Sequence, residues 1–409
     1  MAHLGKRNPF LFWIVAAVLA TAVLATTLVY GYHASATRRS AYIVGVPDSG
    51  AELFFGSKKC ATCHAINGAG GHVGPDLSGK RPERPAMGWM TTVLWNHAPG
   101  MWRQMRRGNG PYPRLTQEEM ADMLAFLFQA GNTDPKGDAG AGRSVFQGKS
   151  CERCHSVRGA GGNSAPDLSK IAGPHGSRDW AAAMWNHAQS MVEPVTRALR
   201  EWPEFKGGEM NDLMAYAGVS DPAPSANAVS LRGRAEPGWR VFQAKCMQCH
   251  SVRGQGGAIG PELGPDKDLP LTTARFASVM WNHAPAMLKL AREKGVPAPT
   301  LQGDEMTHLL VFLGSLRFVE PTGSALLGER IFSERGCARC HGAKADGAAA
   351  PALRFGADAY TAVSFTTALW RHGPRMQDRA EELGIEWPIL KPNDIGDIVS
   401  FLNAPDLRR

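Results

Sequence analysis

The sequence Cys60-Ala-Thr-Cys63-His64 occurs four times in this chain of 409 residues. Its other copies are Cys151-Glu-Arg-Cys154-His155, Cys246-Met-Gln-Cys249-His250 and Cys337-Ala-Arg-Cys340-His341. The chain contains eight cysteines, and all eight lie in these pentapeptides. The first cysteines, at 60, 151, 246 and 337, are 91, 95 and 91 residues apart. A period this regular indicates tandem copies of one domain.

Segments rich in proline, glycine and aspartate separate the copies, and they place four units at 48–131, 138–219, 235–317 and 324–405. Each unit begins with a short apolar helix before the pentapeptide. A glycine-rich loop follows, and then two more helices whose apolar residues recur at helical spacing. No strong alternating pattern of a β-strand is present. The sequence therefore predicts an all-α fold.

An apolar run at 9–32 follows Lys6 and Arg7 near the N-terminus. Its length suits a membrane-spanning helix, which needs roughly 20 apolar residues, and the preceding positive charges predict a cytoplasmic N-terminus. We therefore expect a single-pass anchor in a bacterial inner membrane, a linker at 33–47 and four periplasmic units. A cleaved signal peptide is the alternative, because Ala34-Ser35-Ala36 fits a cleavage site.

The cysteine pairs allow four interpretations. Disulfides within a pair would close very small loops, and a thioredoxin-like site needs only one pair in a βαβ context. Zinc sites could combine the pairs but do not require a histidine after each second cysteine. Covalent haem c explains the whole pattern, because two thiols can bond the vinyl groups of one porphyrin while the adjacent imidazole binds its iron. We therefore predict four covalently attached haem c groups, at Cys60 and Cys63, Cys151 and Cys154, Cys246 and Cys249, and Cys337 and Cys340, with His64, His155, His250 and His341 as proximal iron ligands.

Each unit resembles a small class I cytochrome c domain. The resemblance rests on the apolar helix before the pentapeptide, the "GPDL" segment after it and last helices such as "EEMADMLAFL", and it covers nearly all of 48–405. It implies four tandem class I-like cytochrome c domains, which follow the N-terminal transmembrane helix that the apolar run at 9–32 predicts. It also implies that a proline carbonyl holds each proximal histidine, and the matching prolines are Pro75, Pro166, Pro261 and Pro351.

The distal side of the predicted haem departs from this family. Class I domains usually supply a distal methionine from a Met-Pro loop before the last helix, but the corresponding loops here read "PYPRL", "EWPEF", "VPAPTL" and "EWPIL". The middle helix instead repeats Trp-Asn/Arg-His-Ala/Gly-x-x-Met, which puts His and Met on one helical face. We favour Met101, Met191, Met287 and Met376 as distal ligands, and the alternative is His97, His187, His283 and His372.

Several neighbouring residues are interpreted structurally. Trp95, Trp185, Trp281 and Trp370 of the same repeat are expected to wall the haem pocket. We expect Pro99, Pro285 and Pro374 to interrupt the middle helices near the His–Met pairs. His3, His33, His72, His175 and His308 have no counterparts in the other units and are interpreted as surface residues, whereas Met120, Met123, Met210 and Met306 are assigned to the core.

The resemblance implies a carrier that relays single electrons between redox protein partners, a donor and an acceptor at the membrane. The formal charge of +8 does not indicate a nucleic-acid partner, because lysine and arginine are scattered and form no basic stripe. The sequence contains no nucleophile–base pair and no flavin or nicotinamide motif, and we predict no enzymatic activity. The alternatives are a fixed subunit of a larger respiratory or photosynthetic membrane complex, and a multihaem reductase or peroxidase with an open iron position.

Overall fold

A computed structural model describes residues 45–78, 87–108, 112–131, 134–171, 176–219, 233–264, 272–302, 304–316, 323–354 and 359–405. All of them belong to the compact unit Val44–Arg409. The predicted anchor at 9–32 and the linker residues 33–44 lie outside the described residues. Among the helices that are described, none has the length and apolarity needed to cross a membrane.

The described part of the chain is mainly helical, as predicted. In chain order its α-helices are α1 (Pro47–Glu52), α2 (Met87–Arg107), α3 (Gln117–Ala130), α4 (Ala139–Gly148), α5 (Ser177–Leu199), α6 (Glu209–Ala217), α7 (Ala235–Lys245), α8 (Thr273–Glu293), α9 (Glu305–Ser315), α10 (Ala325–Glu334), α11 (Ala338–His341), α12 (Ala362–Glu382) and α13 (Asp394–Asn403). Short antiparallel hairpins follow the first three pentapeptides: β1 (Ala65–Ile66) with β2 (Ala69–Gly70), β3 (Ser156–Val157) with β4 (Ala160–Gly161), and β5 (Ser251–Val252) with β6 (Gln255–Gly256).

Within each unit the helix before the pentapeptide, called here the entry helix, crosses the last helix, called the closing helix. The entry helices are α1, α4, α7 and α10, and the closing helices are α3, α6, α9 and α13. A glycine marks each crossing, because a Cβ at Gly50, Gly142, Gly238 or Gly328 would overlap a carbonyl group of the closing helix. Four residues later an aromatic ring packs on the closing helix, in the pairs Phe54–Phe126, Phe146–Tyr216, Phe242–Phe312 and Phe332–Phe401. The repeated Gly-x-x-x-Phe pattern thus allows two helix backbones to approach closely.

A side chain of the closing helix also accepts a hydrogen bond from a backbone N–H at the start of the entry helix. In units 1, 2 and 4 the acceptors are the carboxylates of Asp122, Asp212 and Asp397, at 2.7–2.8 Å. In unit 3 the acceptor is Nδ1 of His308, which lies 3.0 Å from the backbone nitrogen of Arg234. His308 is half-buried. It takes the position that a structural aspartate occupies in the other units, a role that its interpretation as a surface residue does not include.

The middle helices α2, α5, α8 and α12 join the units in pairs. Helix α5 packs against α8 and α2 packs against α12, so unit 2 pairs with unit 3 and unit 1 with unit 4. Trp95 of unit 1 lies in one apolar cluster with Phe365, Leu390 and Ile395 of unit 4. The two pairs meet where α3 approaches α9. The spatial neighbours of a unit are therefore not always its neighbours in the sequence.

The middle helices run without interruption through Pro99, Pro285 and Pro374, contrary to expectation. A proline removes one helical hydrogen bond and frees the carbonyl four residues before it. In two helices the paired unit supplies an indole N–H to this carbonyl. Trp387 donates to the carbonyl oxygen of Trp95 at 3.3 Å, and Trp202 donates to that of Trp281 at 3.0 Å. Unit pairing thus compensates for the missing bond, and these helices continue.

Candidate functional site

Each Cys-x-x-Cys-His pentapeptide forms a tight turn. The histidine N–H donates to the carbonyl of the first cysteine in all four units, at 2.9–3.0 Å. Before the first cysteine, Lys59, Ser150 and Gly336 have positive φ angles, which turn the chain from the entry helix into the pentapeptide. The two cysteines and the histidine of each copy are therefore held within a single turn, as two thioether bonds and one iron ligand for the same haem require.

The first cysteine of each pair lies in an apolar environment. Burial raises the pKa of Cys60, Cys151 and Cys337 to about 11 and that of Cys246 to about 12. None of the eight cysteines, all of which lie in described residues, forms a disulfide. An apolar setting suits a thioether bond to a porphyrin edge and disfavours a zinc-bound thiolate. In the described segments, no three Cys, His, Asp or Glu side chains cluster as a metal site would require.

The proximal histidines share one hydrogen bond. Nδ1 of the imidazole lies 2.8–2.9 Å from a proline carbonyl oxygen, in the pairs His64–Pro75, His155–Pro166, His250–Pro261 and His341–Pro351. These prolines are the ones that the resemblance indicates. A carbonyl acceptor places the proton on Nδ1 and leaves Nε2 as a metal ligand. The four histidines therefore fit the predicted role of a proximal iron ligand.

An acidic residue after the proline fixes this loop in three units. In unit 2 hydrogen bonds from the Ser169 hydroxyl and the Gly159 N–H lower the pKa of Asp167. Asp76 accepts the N–H of Gly68 in unit 1, and Glu262 accepts that of Gly254 in unit 3. These bonds tie the turn of each hairpin to the loop that presents the proline carbonyl. The carboxylates thus position the proximal histidine indirectly.

The middle helices have one buried side and one open side. On α2, Trp95, Ala98 and Trp102 are buried, whereas His97 is exposed and Met101 is half-buried. The candidate methionines Met191, Met287 and Met376 are half-buried as well, His187 is half-buried, and His283 and His372 are exposed. Each His–Met pair is thus left accessible on its helix, as the distal side of a haem site requires.

Unit 2 brings the rings of a proximal and a distal candidate close together, in an edge-on arrangement. The rings of His155 and His187 have centroids 6.2 Å apart and an interplanar angle of 67°. Two imidazoles on opposite sides of one metal ion, each at a bond length of roughly 2 Å, would have centroids about 6 Å apart. In units 1 and 3, Nδ1 of His97 and His283 instead lies 2.8 Å from a carbonyl of its own helix. The distance in unit 2 therefore matches that expected if His187 were the distal ligand.

The tryptophans of the middle helices, expected to wall the haem pocket, bind across the unit pairs. Each indole N–H donates at 2.7 Å to a proline carbonyl of the paired unit, in the pairs Trp95–Pro388, Trp185–Pro299, Trp281–Pro203 and Trp370–Pro113. The following asparagine makes two hydrogen bonds to the same loop, in the pairs Asn96–Leu390, Asn186–Leu301 and Asn282–Phe205. These loops occupy the place of the usual Met-Pro loop. They serve as docking segments for the paired unit.

The repeat pattern does not predict that these tryptophans and asparagines bind another unit, because it describes the four copies as equivalent. One signal distinguishes them. Leucine precedes the tryptophan in units 1 and 4, at Leu94 and Leu369, whereas methionine precedes it in units 2 and 3, at Met184 and Met280. The copies that resemble each other here are the copies that pair.

Comparison with known proteins agrees with this architecture. The family model of cytochrome c matches residues 48–130, 235–317 and 325–404, more than half of the chain, and the chain belongs to the cytochrome c family. A cytochrome c of Arabidopsis thaliana is 47% identical over 36 residues, which are 9% of this chain and 32% of that protein. The chain thus spans about a third of the length of this relative. No solved structure matches.

Membership of this family defines the general role of the chain. Cytochrome c domains carry covalently bound haem and transfer electrons. The residues 138–219, between the matched ranges, contain a pentapeptide, an entry helix, a middle helix and a closing helix in the same order as the matched units.

Proposed function

We propose that the chain is a membrane-anchored periplasmic cytochrome that relays single electrons through four haem c groups between redox protein partners. When bound, haem iron supplies the one-electron couple. The protein's own residues attach the haem through the eight cysteines, fix the proximal imidazoles through the proline carbonyls and hold a His–Met pair on the distal side. The role is that of a carrier and not of an enzyme, because every unit has candidate ligands for both iron positions.

One observation in unit 2 supports a haem count of four. The hydrogen bond from the proximal histidine to a proline carbonyl is present in unit 2 at 2.8 Å, as it is in the three units that match the family model. Unit 2 also has the cysteine pair, the acidic residue after the proline and the His–Met pair on its middle helix. It therefore has the parts of a haem site that the other units have.

The decisive measurement is the haem content of the purified chain. Pyridine haemochrome absorbance and intact mass should give four covalent haems per chain. A variant with Cys151→Ala and Cys154→Ala should give three, because unit 2 then lacks both thioether bonds. The matched variant with Cys246→Ala and Cys249→Ala should also give three. The proposal fails if the unaltered chain holds three haems and the unit 2 variant still holds three.

A further inference from the structure

The pairing of unit 1 with unit 4, and of unit 2 with unit 3, depends on residues that differ between the two pairs. We propose that side chains at the contacts of the middle helices specify these partners, so that unit 1 accepts unit 4 and neither unit 2 nor unit 3. The order of the units in space is then set by a matching code on α2, α5, α8 and α12 and not by the order of the units in the chain.

The first element of the code is a large residue facing a glycine. Trp102 on α2 is 1% exposed and lies against Gly373 on α12. A Cβ at position 373 would lie far inside van der Waals contact with the Cη2 and Cζ2 atoms of Trp102. The residues equivalent to Gly373 in the other units are Ala98, Ala188 and Ala284. Unit 4 is therefore the one unit whose middle helix leaves space for this indole ring.

The second element is a pair of like residues at the helix contact. The hydroxyl oxygens of Thr91 and Thr366 are 2.8 Å apart, and both side chains are buried. The equivalent residues of units 2 and 3 are Ala181 and Ala277, which are buried as well. An exchange of partners would place a threonine opposite an alanine and lose the hydrogen bond between the two helices. A unit with threonine at this contact thus favours a partner unit with threonine, and a unit with alanine favours a partner unit with alanine.

The third element couples a proline to a tryptophan of the partner. Pro285 in unit 3 frees the carbonyl of Trp281, and the indole of Trp202 in unit 2 binds that carbonyl. The reciprocal contact, from the loop of unit 3 to the middle helix of unit 2, lacks both residues. Unit 2 has Gln189 at the position of Pro285, and unit 3 has Ala298 at the position of Trp202. The carbonyl that Pro285 frees therefore has a donor from unit 2, whereas unit 2 has no proline at this position and unit 3 has no tryptophan in its loop.

This pairing has a consequence for electron transfer, which rests on the proposed function. Units 1 and 4 are neighbours in space although the two other units separate them in the sequence. Electrons passing between paired units would therefore move directly between unit 1 and unit 4. The order of transfer would follow the pairing and not the order of the units in the chain.

Chemical cross-linking tests the pairing itself. Arg106 and Asp378 form an ion pair between units 1 and 4, and neither side chain is fully buried. In the holoprotein an Arg106→Lys variant, treated with a carbodiimide, should form an amide bond between the amine at position 106 and the Asp378 carboxylate. Peptide mass spectrometry should detect this link, and the added change Asp378→Asn should remove it. A link from position 106 to a carboxylate of unit 2 or unit 3 instead would overturn the proposal.

Amide exchange tests the code. Overpacking at Gly373→Ala should accelerate exchange in α2 and α12 by about tenfold or more, although alanine alone favours helix. Adding Trp102→Leu to this variant should restore most of the protection. The double variant then has the residue pair that units 2 and 3 have, with Ala188 equivalent to position 373 and Leu288 equivalent to position 102. Gly100→Ala on α2 is the control, since nothing lies within 4 Å of its added Cβ, and it should not accelerate exchange.

Two results of the exchange experiment would contradict the code. One is unchanged exchange in Gly373→Ala, and the other is a double variant that exchanges as fast as the single one. If the single variant does not fold, the double variant still decides, because the code predicts that it folds. Haem content, measured on the same samples, reports separately on the proposed function, so that the two proposals can fail independently.

Discussion

Each unit offers two residues for the distal position of its iron, a histidine and the methionine four positions after it. The proximal side is uniform, because a proline carbonyl holds all four imidazoles at 2.8–2.9 Å. Differences between the haems should therefore originate on the distal side. A thioether ligand raises the potential of a haem relative to a second imidazole. The choice of residue thus decides whether a unit suits a high-potential or a low-potential partner.

Unit 4 gives the clearest test of the distal ligand, because Met376 is its single methionine. Met376 is half-buried beside the apolar cluster that unit 4 forms with Trp95 of unit 1, whereas His372 is exposed. We therefore expect Met376→Ala to abolish the sulfur-to-iron charge-transfer band of this haem and to lower its potential. His372→Ala should leave both largely unchanged. Near-infrared absorbance and a redox titration of the two variants measure these effects.

Unit 2 serves as the internal control for this assignment. The ring geometry of His155 and His187 predicts that His187→Ala perturbs the unit 2 haem more than Met191→Ala does. If His372→Ala, and not Met376→Ala, changed the spectrum of unit 4, all four units would be assigned to two histidine ligands.

The contact between entry and closing helices carries a pH dependence in unit 3. His308 accepts the N–H of Arg234 through Nδ1, which requires a neutral ring. Burial lowers the pKa of His308, Arg234 and Arg240 lower it further, and Asp304 and Glu305 oppose the shift. On acidification the unfolded chain therefore binds a proton before the folded chain does. Unit 3 should keep its full stability at higher pH and lose part of it as the pH falls below about 6.5.

Amide protection of α7, corrected for intrinsic exchange rates, measures this loss between neutral and mildly acidic pH. The variant His308→Asp introduces the acceptor that units 1, 2 and 4 use, and it should remove the decline in this pH range. Protection of α1, whose acceptor is Asp122, is the reference within the same protein. An equal decline in the variant and the unaltered chain would show that another group causes the effect.

The sequence predicts the helical elements better than their contacts. Residue periodicity predicts the entry, middle and closing helices, and the pentapeptides predict the proximal sites. The continuity of α2 and α8 could not be predicted in this way. The carbonyl freed by Pro99 is bound by Trp387, 292 positions from Trp95 along the chain. The local rule for proline is correct, but a distant donor compensates for the lost bond.

The role of the middle-helix tryptophans was missed for the same reason. From the sequence alone, Trp-x-His-x-x-x-Met is interpreted as a set of residues around one haem, whereas in the structure different residues of the motif face different units. Its tryptophan and asparagine bind the paired unit, and its histidine and methionine remain candidates for the distal position. A single sequence indicates the pairing through the differences between its repeats, such as Leu94 and Leu369 against Met184 and Met280.

The whole molecule combines a repeated domain with a specific assembly. Four units with identical contact residues would have no preferred partner among themselves. The buried residues at the helix contacts differ between the pairs, at Thr91 and Thr366 against Ala181 and Ala277. With the proposed four haems, a chain built in this way would hold its redox sites in a fixed arrangement.

Membrane attachment is the last expectation to test, and it depends on residues 9–32. An apolar run of this length after Lys6 and Arg7 should anchor the chain with its haem units in the periplasm. Cell fractionation should therefore find the protein in the membrane fraction, and detergent but not high salt should release it, because salt weakens surface charge interactions and leaves a spanning helix in place. A variant without residues 1–32, given a cleavable export signal, should be soluble in the periplasm and still hold four haems. A soluble full-length product with a mature N-terminus near Thr37 would establish the cleaved signal peptide instead.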